Sequence, residues 1–394
     1  MSERNVKGAT AVAGVGESTY YKYGRSPDTE FVLVLQAVLA AAEDAGINPR
    51  EIDGCVSYSN DRNTGVRLAN ALGVDELRWS TMQWGGGGGG ASGAMQQAAA
   101  AVAAGFADTV VVYRGLAQGE FGRYGASMPR KPGDSLRVPY GMTTPATVYA
   151  SRMTRFFHET GVSPTTQRAV SLASYHHAQQ NPNAVMQGRP LTEQTYDQSR
   201  WIVEPWRLYD LCQENDGAAA LIVTSAERAR ALVTTPAYIL AAAQGGDQRS
   251  GGFLESVYDS PDYVTSDYKP LARRLFAGAG VTPQDVDVVQ SYENFTGAVV
   301  LSLIEHGFCT VEEADEFFVF DNLIADGGRL PLNTSGGNLA EAYIHGLGLH
   351  VEGVRQLRGQ STNQVADARL SLVSSGPMVT PASTILFGTE ETLG

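Results

Sequence analysis

Ala45-Gly46-Ile47-Asn48-Pro49-Arg50-Glu51-Ile52-Asp53 leads into a short apolar segment that ends Ser57-Tyr58-Ser59-Asn60. The same arrangement returns later in the chain. Ala279-Gly280-Val281-Thr282-Pro283-Gln284-Asp285-Val286-Asp287 leads into a segment that ends Ser291-Tyr292-Glu293-Asn294. In each copy a helix stops at glycine, a proline-containing turn follows, and an aspartate opens a strand. Ser26 and Pro27 read as the N-cap and first turn of the first such helix. Two matched helix–turn–strand units argue for an internal duplication.

Outward from these units the chain alternates strands with helices. Strands are expected near Ala9–Val15, Ile52–Ser57, Arg78–Met82, Asp108–Tyr113 and Ala218–Thr224 in the first half. In the second they are expected near Ala237–Ala243, Val286–Ser291, Leu370–Val373 and Ser383–Phe387. Their apolar, β-branched character suits buried α/β sheets. The halves are placed at 1–232 and 233–394, with Tyr58 and Tyr292 as equivalents. Between about 117 and 206 the rhythm fails. That polar, turn-rich stretch reads as an insertion over the active face.

The chain has 394 residues and a formal net charge of −13. The length supports two domains or one large α/β unit. The acidic balance argues against nucleic acid and anionic membrane as partners. No stretch is long and apolar enough to span a bilayer, and the start lacks a signal-peptide pattern. Cys55, Cys212 and Cys309 are few and far apart, so no disulfide framework or zinc knuckle is implied. A reduced, cytoplasmic setting is expected.

Six glycines, Gly85 to Gly90, stand between Trp84 and the alanine-rich run Ala91 to Ala104. The run is a strong helix former, with Gly105 as its C-cap. The glycines deliver bare backbone to a helix N-terminus, where free N–H donors and partial positive charge can hold an oxyanion or a thioester carbonyl. Close helix–strand packing would also call for small residues here. From Gly85 to Gly90 there is no nucleophile.

The duplicated α/β halves, the insertion before Asp216-Gly217-Ala218-Ala219-Ala220, and Asn333-Thr334-Ser335-Gly336-Gly337 resemble the thiolase superfamily. Gly14-Val15-Gly16-Glu17-Ser18 and Gly307-Phe308-Cys309 resemble its sterol-carrier-protein branch. Gly14-Val15-Gly16 is no dinucleotide loop, because Thr19 stands where a third glycine would be. The resemblance covers essentially the whole chain. It implies a five-layered α-β-α-β-α fold and a homodimer paired through the strand near Arg78–Met82.

The departures from the family point to different chemistry. Thiolases carry a nucleophilic cysteine where this chain aligns Gly88 or Gly89. They carry His or Asn where Tyr292 stands, and a histidine where Tyr343 stands. A second cysteine is absent near Ser374-Ser375-Gly376. Thiolysis needs an acyl-cysteine, so it is ruled out. The replacements resemble the cysteine-less, lipid-transfer-protein aldolases of bacterial steroid side-chain degradation. That resemblance implies retro-aldol cleavage of a β-hydroxyacyl-CoA, a 17-hydroxy steroid thioester, to a 17-keto steroid and propionyl-CoA. It also implies a partner with an OB-fold and zinc ribbon, giving a heterotetramer. Zinc is then expected only in the partner, and no cofactor or metal in this chain.

Retro-aldol chemistry needs a base for the alcohol, an oxyanion site for the enolate and an acid for the α-carbon. Gly88, Gly89 and Gly376 are the expected oxyanion donors. Tyr292 and Tyr343 are the expected acid–base pair, with His345 as their rival. Which tyrosine is base and which is acid is left open. A Schiff-base route is disfavoured, since Lys7, Lys22, Lys131 and Lys269 lie near no matched motif. Glu341 and His345 have helical i,i+4 spacing, but two ligands do not make a metal site. Arg123, Arg130, Arg152 and Arg155 in the insertion are the arginines expected to meet the anionic CoA. The competing readings are a non-catalytic acyl-CoA-binding subunit and an acyltransferase with an external nucleophile. Tyrosines at both former catalytic positions favour the aldolase.

Overall fold

The computed structural model describes residues 7–84, 87–122, 138–232, 235–247, 264–379 and 381–394. Nine main strands carry it: β1 Thr10–Glu17, β2 Gly54–Tyr58, β3 Trp79–Gln83, β4 Thr109–Ala117 and β5 Asn215–Ser225, then β6 Ala237–Gly245, β7 Val288–Ser291, β8 Leu370–Ser375 and β9 Ala382–Gly388. All nine expected strands are present. The longer helices are α1 Glu30–Ala45, α2 Gly65–Leu72, α3 Gly90–Ala103, α4 Pro145–Thr160, α5 Thr165–Ala178, α6 Lys269–Ala279, α7 Thr296–His306 and α8 Leu347–Arg358.

The strand path runs β7-β8-β9-β6-β1-β5-β4-β2-β3. It reads alike outward from its middle. β1–β5 and β6–β9 are antiparallel, as are β5–β4 and β9–β8, whereas β4–β2 and β8–β7 are parallel. A short antiparallel pairing, Ala11 with Tyr238 and Val12 with Ala237, joins the halves. The repeated aspartates do the same work in both. Asp53 accepts the N–H groups of Asp108 and Thr109 where β4 begins, and Asp287 those of Arg369 and Leu370 where β8 begins. Gly46 and Gly280 both end their helices in the left-handed region, at φ 66° and 73°.

The helices sort into layers by what they touch. α1 lies on β1, β4 and β5, and α6 on β6 and β9. α3 touches strands of both halves, as does α8, so these two form the middle layer. The result is the five-layered α-β-α-β-α arrangement that the resemblance implies. α1 buries Leu33, Val34, Ala37, Val38, Ala41 and Ala45, one face of a helical repeat. Gly14 lets that helix approach β1, since a Cβ there would lie 2.7 Å from the Ala45 methyl. The Gly14-Val15-Gly16 motif is therefore a packing feature of β1.

Two local expectations need correction. Ser26 does not cap α1. Its hydroxyl closes a turn with Asp28, α1 starts after Thr29, and the Glu30 N–H is taken by the Glu120 carboxylate at 2.8 Å. The region around 117–206 is not mainly turns, because it holds α4 and α5. Thr144 caps α4 with a reciprocal bond to Thr147 and Pro145 at the first turn, a start signal that the polar composition obscured.

Candidate active site

Five segments converge between the two half-sheets. They are the end of β2 at Tyr58, the residue after β7 at Tyr292, the glycine run entering α3, the loop from Asn333 to Gly346, and the loop after β8 at Gly376. Strand ends in parallel pairs with helices on both faces are where such folds place chemistry.

Tyr292 is held by its backbone N–H on the Ser374 carbonyl at 3.0 Å. Its ring packs against two glycines. A Cβ on Gly88 would overlap the ring at Cζ, Cε2 and Oη, and one on Gly346 would overlap it at Cδ2 and Cε2. Gly346 also has φ 85°, so a side chain there is excluded twice. The Tyr292 hydroxyl reaches the Tyr343 hydroxyl at 2.9 Å. Tyr292 is 2 % exposed and Tyr343 is 6 % exposed, so the pair is shielded from bulk water. The Tyr343 backbone N–H is fixed by Asn215 Oδ1 at 2.9 Å.

The glycine run forms a tight turn, Gly87–Gly89, and then α3. Gly376 lies directly against it, close enough that a Cβ would meet the Gly88 carbonyl carbon at 2.9 Å. Ser383 braces the turn from β9: its hydroxyl donates to the Gly89 carbonyl and accepts from the Gly93 N–H at 2.9 Å.

His345 closes the group. Its carbonyl accepts from the Tyr58 hydroxyl at 2.9 Å, and its ring stands 5.8 Å from that of Tyr343 at 71°. Burial holds its pKa well below the usual histidine value, and the nearby Arg114 charge lowers it further. Arg114 itself is buried against Asp61 at 2.9 Å. A neutral imidazole of such low basicity is a poor base for an alcohol. Glu341 and His345 do not share a helix. Glu341 ends a short turn and binds Ser335 and Asn181, whereas His345 adopts φ 55° and faces the tyrosines.

Gly88, Gly89, Gly376, Tyr292, Tyr343 and His345 are thus brought together. The described arginines among the CoA candidates, Arg152 and Arg155, are not. Arg152 is buried and donates to the carbonyls of Met378 and Thr265, bracing the loop beyond Gly376. That position does not suit contact with CoA phosphates. Arg155 pairs with Glu159 on the exposed side of α4. Arg123 and Arg130 lie outside the described residues. Burial pushes the thiols of Cys55 and Cys309 up to about 12, and that of Cys212 up as well, so none is a thiolate at neutral pH.

Several residues of the site were not anticipated. Asn215 stands just before the Asp216-Gly217-Ala218 motif, so its neighbourhood was visible. Ser383 gives no local signal, because its role arises from packing between the halves. Glu293 follows Tyr292 directly in the second copy of the repeat. It is fully buried, its Oε2 accepts from Asn338 at 3.0 Å, and burial pushes its pKa up to about 8. Two surface hollows lie on other elements, one lined by Leu172, Leu191 and Phe320, the other by Asp28, Glu120 and Asp216.

Comparison with known proteins places this geometry. The family model for the thiolase C-terminal domain-like region matches residues 254–389. The chain is 41 % identical to the 17-hydroxy-3-oxo-4-pregnene-20-carboxyl-CoA lyase of Mycobacterium tuberculosis, over 97 % of this chain and 100 % of that one. It belongs to the steroid side-chain-cleaving aldolases of the thiolase superfamily. The steroid side-chain-cleaving aldolase of Thermomonospora curvata is 39 % identical over 97 % of this chain and 98 % of its own. A solved Ltp2-ChsH2(DUF35) aldolase superimposes with a TM-score of 0.90 at 38 % identity, covering 98 % of this chain and 99 % of that one. Membership in the steroid side-chain-cleaving aldolases makes the chain a lyase, for which no nucleophilic cysteine is required. No helix among the described residues is long and apolar enough to cross a membrane.

Proposed function

We propose that the chain cleaves a 17-hydroxy steroid-CoA thioester by a retro-aldol reaction, giving a 17-keto steroid and propionyl-CoA, with Tyr292 and Tyr343 as the proton-transfer pair. The observation that carries this reading is the 2.9 Å contact between the two hydroxyls against the side-chain-free backbone of Gly88. One tyrosine oxygen takes the proton of the β-hydroxyl. The O–H electron pair becomes the new C=O bond, and the bond between the α- and β-carbons breaks. Its electrons form an enolate on the thioester. The amides of Gly88 and Gly89, with Gly376, stabilise that charge, each donor contributing roughly 2.7–4 kcal/mol in comparable sites. The other tyrosine delivers a proton to the α-carbon. Atoms balance without an acyl-enzyme.

The contact between the two hydroxyls gives the tyrosine that accepts the proton a neighbouring O–H donor. His345, held neutral, acts as packing and hydrogen-bond support.

The assembly proposed is a homodimer that binds two copies of an OB-fold, zinc-ribbon partner. The solved Ltp2-ChsH2(DUF35) aldolase supports the presence of a second, partner chain. The edge position of β3, with its half-exposed pattern, supports pairing with a second copy. The test is product analysis. The reconstituted complex, incubated with 17-hydroxy-3-oxo-4-pregnene-20-carboxyl-CoA, should release 17-keto steroid and propionyl-CoA in equal amounts by mass spectrometry. Acyl transfer to an added nucleophile without C–C cleavage would refute the proposal.

A further inference from the structure

A second buried cluster lies beneath the tyrosine slot, and the reaction as drawn leaves it without a role. His350 sits in the first turn of α8. Its Nδ1 lies 3.2 Å from the Gly346 carbonyl, and its Nε2 lies 2.8 Å from Ser92 Oγ. Ser92 Oγ lies 2.7 Å from Ser375 Oγ, and the Ser92 N–H donates to Ser375 Oγ at 3.2 Å. His350 is 0 % exposed, and Ser92 and Ser375 are 1 % exposed.

The chemistry fixes the direction of this chain. A backbone carbonyl only accepts, so Nδ1 carries the hydrogen. Burial holds the His350 pKa down at about 4, so the ring is neutral and Nε2 is an acceptor. Ser92 therefore donates to Nε2, and Ser375 donates to Ser92. The Ser92–His350 pair resembles a nucleophile with its base, but it is fully enclosed and its oxygen already accepts from Ser375. It is not an acyl-transfer dyad.

What the chain joins is informative. Gly346 forms one wall of the Tyr292 slot. Ser375 immediately precedes Gly376, which lies on the glycine turn. Ser92 belongs to the first turn of α3, whose N-terminus presents the amides. Three walls from three distant parts of the sequence thus meet through one imidazole. We propose that His350, acting through Ser92 and Ser375, is a positioning residue that sets the Tyr292 hydroxyl against the glycine-run amides. The proposal rests on the reading that Tyr292 takes part in the reaction.

A network that merely stabilises the core would affect folding and leave the reacting groups uncoupled, so the test measures coupling to Tyr292. Ser92→Ala, His350→Leu and His350→Gln are made singly, and Ser92→Ala also with Tyr292→Phe. kcat and KM for steroid-thioester cleavage are measured in the assembled complex. Ser92→Ala, which removes one hydroxyl and spares the fold, should lower kcat about tenfold to a hundredfold while KM moves less than about threefold. His350→Leu should behave alike. His350→Gln should recover most of kcat, because its amide oxygen can accept the Ser92 proton in place of Nε2. In the Tyr292→Phe background Ser92→Ala should cost nothing further. Wild-type kcat in folded Ser92→Ala, or the same fold-loss in both backgrounds, would overturn the positioning role. A wild-type complex that folds but does not cleave would overturn the retro-aldol reading beneath it.

Discussion

The ring of Tyr292 fills the volume that a side chain on Gly88 would need. Gly88 and Gly89 are the two positions aligned with the family's cysteine, and a Cβ at Gly88 would overlap Tyr292 Cζ. A nucleophile on the glycine turn and a phenol at the end of β7 compete for a single space.

This exclusion is testable by refilling it. Gly88→Ala should lower kcat/KM by at least about a hundredfold, because it displaces the hydroxyl that reacts. It should also cost about 1–3 kcal/mol of stability, the usual range for an overpacked interior. Gly346 packs against the Cδ2–Cε2 edge of the same ring, so Tyr292 has little room on that side. In a Tyr292→Ala background Gly88→Ala should cost no stability at all. Equal costs in both backgrounds, by denaturant unfolding, would show that the two residues do not compete.

The cysteines should be dispensable. Cys212→Ala and Cys309→Ala are expected to leave turnover within about twofold, as their thiols stay protonated and lie in no reacting pair. A trapped acyl adduct on either cysteine, seen by intact mass, would contradict this.

Glu293 should make stability fall as pH rises. Its carboxyl is ordinary in the unfolded chain, near 4.5, and about 8 when folded. Across that window the folded state holds a proton that the unfolded state has released, so unfolding gains with each pH step. Stability from this group is fully present below about 4.5, declines up to about 8 and is flat beyond. Glu293→Gln keeps the shape and removes the titration. It should raise Tm at pH 8.5 relative to wild type and change it little at pH 4. An unchanged difference between the two pH values would remove Glu293 from the account.

The repeat was legible because its parts are local. Gly46 and Gly280, the proline turns, and Asp53 and Asp287 each act within a few residues of their neighbours. The strands were legible because buried sheets demand apolar, β-branched runs. Helices α4 and α5 were not, because buried polar residues such as Arg152 and His177 break the apolar stripe. Arg152 looked like a ligand for an external anion, yet its partners are carbonyls of Met378 and Thr265. The tyrosine pair was legible only through alignment to the family's catalytic positions. The Ser383 brace and the His350 chain were not visible at all, since each joins residues more than 250 positions apart.

The central claim is that the two hydroxyls move the protons. It is tested most directly by single-turnover C–C cleavage of 17-hydroxy-3-oxo-4-pregnene-20-carboxyl-CoA by Tyr292→Phe, Tyr343→Phe and the double variant in the assembled complex. Each single change removes one oxygen and should lower the rate by about 10²–10⁴, the usual worth of an acid or base. The double variant should be little slower than the worse single one, because the pair works as a unit. Wild-type cleavage by the double variant would contradict the account, as would cleavage abolished only by His345→Ala.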